Sequence, residues 1–294
     1  METAFWDGDY IQDKKGIFYH VLGYNNNLNF INAVSLYIPD STGPYFDKNG
    51  LRYKKQCNDL ITRVPVDSII LHLKPYLFPD KAALPGPWGD FLKFMVGNGI
   101  SLMNIGVCGS KLLGLTKQQP SIRDDIDFII YGDKNRLKLK RSLGQNEKFY
   151  LGERLFDDYY LELIEKYRTR HSLEITNFPV IFKNRWSSIR VGKTIITIRF
   201  CLKQREVKEF MNYSPIYNGP VVNIEGVVIK DSYVDYMPRV FVVNTQGNKK
   251  FMVYTHYWAF QSCVKQGQEV RVNGVQFQPN KVEISSYDHG IYIL

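Results

Sequence analysis

Apolar and polar positions along this chain change their period several times, and each change predicts a change of element. Residues 16–24 (GIFYHVLGY) and 31–40 (INAVSLYIPD) are rich in β-branched and aromatic residues, with NNNLNF between them as a turn; they predict two strands. From Val66 the spacing becomes helical. VDSIILHLKPYL and PWGDFLKFMVGNG predict two helices, the second with Pro87 in its first turn, joined by the proline-rich LFPDKAALPG. SLMNIGVC then reads as a short buried strand, GSKLLGL as the start of a helix, IDFIIYG as a second strand and KNRLKLKRSL as a basic helix. FDDYYLELIEKYRTR predicts a further helix, and VIFKNRWSSIRVGKTIITIRFCL β-structure in at least two pieces.

Beyond about Tyr217 the texture is that of short strands separated by turns. VVNIEGVVIKD, PRVFVVNTQG, KKFMVYTHY, QEVRVNGVQF and KVEISSYD suit a small antiparallel barrel, with the OB-fold as leading candidate. The expected class is α+β in three parts: a β-rich N-terminal segment (1–62), a central α/β domain with a mixed sheet (63–215) and an OB-like β-barrel (216–294).

Composition narrows the partners only modestly. The 294 residues carry 38 Lys+Arg against 29 Asp+Glu, a net charge of +9 that permits an anionic partner such as nucleotide or nucleic acid without establishing one. Cys57, Cys108, Cys201 and Cys263 are scattered and form no CxxC pair, and the five histidines are equally dispersed. A zinc site is therefore not expected, and reduced thiols in the cytoplasm are. The opening METAFWDGDY is polar and acidic and the apolar runs fall well short of about 18 residues, so neither signal peptide nor membrane span is expected. No Walker-A, Ser-His-Asp or Rossmann pattern is present.

The candidate chemistry lies between residues 105 and 133. Gly109-Ser110 follows one predicted strand and opens a helix, where free backbone N–H groups can hold phosphate. Asp125-Ile126-Asp127 leads the next strand, and alternation puts Asp125 and Asp127 on one face and Ile126 and Phe128 on the other. Two carboxylates so spaced can share divalent cations, which neutralise a triphosphate and align an attacking hydroxyl. Lys111, Arg123 and Arg199 are basic residues that can face phosphates or solvent; Asp124, by alternation, faces away from Asp125.

The segment Val107-Cys108-Gly109-Ser110 with Asp125-Ile126-Asp127-Phe128 resembles the hG[GS]…Dh[DE]h signature of the polymerase-beta-like nucleotidyltransferase superfamily. Most of the chain resembles one subfamily, the archaeal predicted nucleotidyltransferases. The resemblance runs from FWDGDYIQDKKGIFYHVLGY through GSKLLGL and DDIDFIIYGD to GKTIITIRF and IEGVVIKDSYVDYMPRVFVV.

It implies transfer of a nucleoside monophosphate from an NTP to an acceptor hydroxyl with Mg²⁺ or Mn²⁺. Asp125 and Asp127 would be the catalytic metal ligands, and Gly109, Ser110, Lys111 and Arg199 would face the nucleotide. The superfamily usually adds a third carboxylate on a later strand. Here Thr194–Phe200 offers Arg199 instead, with Asp157, Asp158 and Glu174 as possible substitutes.

The alternative is a non-catalytic nucleic-acid-binding protein keeping the same fold. Its contacts, or those of a nucleic-acid acceptor, would come from two places. One is Lys134, Arg136, Lys138, Lys140 and Arg141, unless they form a solvated helix face. The other is the barrel aromatics Tyr233, Tyr236, Phe241, Phe251, Tyr254 and Tyr257, of which about half are expected in the core.

Overall fold

The computed structural model describes residues 5–24, 26, 29–56, 60–79, 81–117, 125–145, 165, 180–181, 184–191, 194–212, 218–286 and 288–294. Apart from Glu165, the helix expected over FDDYYLELIEKYRTR lies outside them, as do Arg123, Asp124, Asp157, Asp158 and Glu174. What is described is a mixed α/β chain, rich in strands and with few helices. It divides into two compact units, residues 1–150 with 187–212, and residues 151–186 with 213–294.

The first unit holds two sheets. Strands β1 (Tyr10–Asp13), β2 (Phe18–Val21) and β3 (Phe30–Pro39) form its antiparallel spine, continued by β5 (Arg52–Lys55) and β4 (Tyr45–Phe46). β6 (Ile61–Pro65) also pairs with β3, and β7 (Ile69–Leu73) forms the edge beside β1. The helix expected over VDSIILHLKPYL is thus absent: a 3₁₀ turn, the strand β7 and a second 3₁₀ turn replace it. Pro75 closes the stretch to helix, and the β-branched Ile69-Ile70 pair suits a strand that finds β1 as its partner.

The second sheet has the order β11-β12-β10-β8, formed by β8 (Ile105–Cys108), β10 (Asp125–Tyr131), β11 (Ser188–Val191) and β12 (Thr194–Cys201). β10 runs antiparallel to β8 and parallel to β12, so its flanks are a mixed pair. Ile126, Phe128 and Ile130 on one face and Ile129 on the other are buried. Phe128 meets Phe91 of helix α1 (Gly86–Gly97), ring centroids 5.9 Å apart, while Ile129 packs with Tyr10, Cys108 and Cys201 beneath the first sheet. The basic helix forms as α3 (Asp133–Gly144), but two of its cations serve the fold. Arg136 is buried and pairs with Asp133 at 2.9 Å, and Lys138 Nζ donates to Gly99 O at 2.7 Å.

The second unit contains a closed five-stranded barrel. β13 (Val221–Tyr233), β14 (Arg239–Thr245), β15 (Lys250–Thr255), β17 (Lys281–Ile284) and β16 (Glu269–Gln278) pair in that order, and β16 returns to β13. All five strands read from the sequence are present. The β15–β17 pairing is parallel, so the barrel is not purely antiparallel, and β18 (Gly290–Ile293) adds a sixth strand on β16. Closure removes the free sheet edges. Register shifts at Val228/Lys230 and Lys230/Tyr233 bend β13, which must serve two neighbours. Val228, Val243, Val253, Val270, Val272 and Val282 meet at the centre.

Candidate functional site

The two motifs meet at the end of β8. Register sets Cys108 opposite Asp127, so the chain turns at Gly109 directly beside the Asp127 carboxylate. Gly109 has φ +69°, and a β-carbon built on it would fall 2.5 Å from Asp127 Oδ2. Only glycine meets both demands: it takes left-handed backbone without steric cost and leaves the carboxylate its place. Its N–H donates to the Tyr10 hydroxyl oxygen at 3.1 Å, which ties the turn to the first sheet.

The helix expected after Gly-Ser is a single turn, α2 (Gly109–Leu112). Gly114, at φ +64°, releases the chain into β9 (Thr116–Lys117), which pairs with β4 of the first sheet. A one-turn helix contributes little macrodipole. What the segment offers is therefore a glycine turn with its following backbone.

Arg199 lies on β12 beside Ile129, on the same face as Asp127, and its Nη2 is 4.0 Å from Asp127 Oδ2. The Arg199 side chain is 15 % exposed and that of Asp127 23 %, so the carboxylate reaches solvent while the guanidinium is largely enclosed. Burial works to lower the Arg199 pKa, but the groups around it, of which Asp127 is the carboxylate, outweigh it and hold the group above the usual arginine value. Arg199 is a fixed cation. Cys108 is pushed up to about 12, first by burial and then by Asp127, against the pull of Arg199, so it stays a thiol and no nucleophile. Tyr10 is likewise raised, by burial foremost.

The other expected members stand further out. Asp125 is on β10 opposite Ile195, two positions before Asp127. Ser110 is partly buried, and Lys111 is exposed with its ammonium 5.1 Å above the Trp88 ring. Two participants were not foreseen: Tyr10, far away in sequence, and Trp88 beneath Lys111. Among the described residues no three His, Cys, Asp or Glu side chains gather as a metal-binding group.

Of the six barrel aromatics, Tyr236, Phe241, Phe251, Tyr254 and Tyr257 are buried. More of them are core than expected: Phe241, Phe251 and Tyr257 join the barrel valines in one cluster. Tyr233 is partly exposed, with Lys230 Nζ 5.6 Å from its ring centroid.

No family model and no solved structure matches the chain. It is similar to an uncharacterized protein of Methanocaldococcus jannaschii, MJ1086, at 27 % identity over 179 residues. That stretch is 60 % of this chain and 51 % of the relative, so the match spans about half the relative's length. No helix among the described residues is long and apolar enough to cross a membrane.

Proposed function

We propose that the chain is a metal-dependent nucleotidyltransferase that moves a nucleoside monophosphate from an NTP to an acceptor hydroxyl. One observation carries the reading: the Gly-Ser turn and the Asp-Ile-Asp strand, sixteen positions apart from Gly109 to Asp125 in sequence, meet so closely that a β-carbon at Gly109 would strike Asp127. The mixed order of β12, β10 and β8 supports the same superfamily reading.

Asp127 is a hard oxygen donor with access to solvent, which suits Mg²⁺ or Mn²⁺ with Asp125 on the same strand. A bound cation would neutralise triphosphate charge and polarise the α-phosphate. The chain's own groups do the rest. Gly109 makes room for the Asp127 carboxylate, Ser110 offers its hydroxyl to the triphosphate, and Lys111 and Arg199 supply positive charge. The acceptor oxygen bonds to the α-phosphorus, the bond to the β-phosphate oxygen breaks, pyrophosphate leaves and the hydroxyl proton passes to solvent.

The closed five-stranded barrel supports an OB-like reading of the second unit, and the buried free thiols Cys108, Cys201 and Cys263 support a cytoplasmic location. The rival reading, nucleic-acid binding without turnover, rests on the missing third acid and the net charge, and loses support from the burial of the barrel aromatics.

The test is incubation with Mg²⁺, each α-labelled NTP and RNA, DNA or no added acceptor. Label transfer by wild type and its loss in Asp127→Asn support the enzyme. Salt-dependent nucleic-acid binding with no transfer supports the rival. Equal Mg-ATP affinity of wild type and an Asp125→Ala/Asp127→Ala variant overturns the site assignment.

A further inference from the structure

Arg199 occupies the strand position where a third metal-binding acid is expected, and its distance to Asp127 bears on how many ions the site holds. In a two-ion site the shared carboxylate lies between cations about 3.5–4 Å apart. Here one flank of that carboxylate already faces a cation belonging to the chain, Arg199 Nη2 at 4.0 Å from Oδ2. Oδ2 also lies against the Gly109 turn, too close to admit even a β-carbon.

The guanidinium has little freedom to yield its place. Arg199 is held in register with Ile129 by the β12–β10 pairing, and its side chain is only 15 % exposed. Its neighbours Tyr10 and Cys201 belong to the packed core between the sheets. An ion on that flank would sit beside a fixed charge of its own sign, with no carboxylate on β12 to offset it. Asp127 remains open to ligands only through its solvent-facing part.

We infer, resting on the nucleotidyltransferase reading, that the site takes one divalent cation and that the Arg199 guanidinium replaces the second, contacting the triphosphate directly. Arginine suits that role: its Nε and Nη1 are enclosed and Nη2 is the nitrogen on the Asp127 side, the group stays charged, and it needs no acidic ligand to hold it. The chain would then retain affinity for a polyphosphate when metal is removed, which a site held together by two ions would lose.

The experiment counts Mn²⁺ bound to the full chain by electron paramagnetic resonance and titrates inorganic tripolyphosphate calorimetrically in EDTA. Wild type is expected to bind one Mn²⁺ and to bind tripolyphosphate without metal. Arg199→Lys should weaken that metal-free binding roughly ten- to a hundredfold, the worth of a charge-assisted hydrogen bond. Arg199→Asp should abolish it and raise the Mn²⁺ count to two. Should Arg199→Asp fail to fold, the wild-type count and the Arg199→Lys titration decide alone. Two Mn²⁺ on wild type, or unchanged tripolyphosphate affinity in Arg199→Lys, overturns the inference and leaves the enzyme reading standing. Neither Mn²⁺ nor tripolyphosphate binding by wild type overturns both.

Discussion

Gly109 and Asp127 constrain each other: the turn at residue 109 has φ +69°, and its missing side chain leaves the space in which the Asp127 carboxylate sits. Gly109→Ala should therefore fail twice. A left-handed alanine costs about 1–3 kcal/mol of stability, and the added carbon must displace Asp127 from its present position. The expected result is a lower urea midpoint together with lost Mn²⁺ and nucleotide affinity. A variant of wild-type stability and affinity would show that the close approach has no consequence.

Tyr10 gives the same turn its anchor. Tyr10→Phe keeps the ring but removes the hydroxyl that accepts from the buried Gly109 N–H, at a cost of about 1–3 kcal/mol. Hydrogen exchange at Gly109 should accelerate in the variant beyond what its global destabilisation accounts for. Unaltered protection there would remove Tyr10 from the site.

How much of this was legible beforehand depends on whether the signal was local. β16 announces itself by strict alternation, exposed Glu269 and Arg271 against buried Val270 and Val272, because one face meets the barrel core. The site's two motifs were visible because each is a few contiguous residues. β7 misled because Val66, Ile69, Ile70 and Leu73 satisfy helical spacing, while the decision for strand came from pairing with β1, which five other strands separate from it in the chain. Tyr10 was invisible as a site residue for the same reason, lying 99 positions from Gly109. Arg199 showed in the sequence as a missing acid; only the fold brings it to 4.0 Å from Asp127.

In the second unit, Asp235 is a buried acceptor, taking hydrogen bonds from Trp186 Nε1 at 3.2 Å and Ser262 Oγ at 2.5 Å. Asp235→Ala strands two donors and should destabilise the chain by about 1–3 kcal/mol. Asp235→Asn keeps an acceptor oxygen and should cost less. Equal urea midpoints for the two variants would show that these hydrogen bonds are not what the carboxylate contributes.

Acidification should weaken the second unit through His289. Burial lowers the pKa of this side chain, Asp288 and Glu283 opposing it in part, and its Nδ1 accepts the Ser285 N–H at 3.3 Å, which requires a neutral ring at that nitrogen. The folded state therefore binds a proton less readily than the unfolded chain. Stability rises with pH wherever the unfolded state holds more protons, so this contribution is complete above the unfolded histidine value of about 6.5 and is lost as pH falls through the lower folded value. Carboxylates add their own acid sensitivity, so the quantity to measure is the difference between wild type and His289→Asn, by urea denaturation at closely spaced pH values. Wild type should lose more stability than the variant below about pH 6.5, the histidine reference value. Parallel curves for the two proteins would mean that His289 titrates alike in the folded and unfolded chain, contrary to its enclosed position beside Ser285.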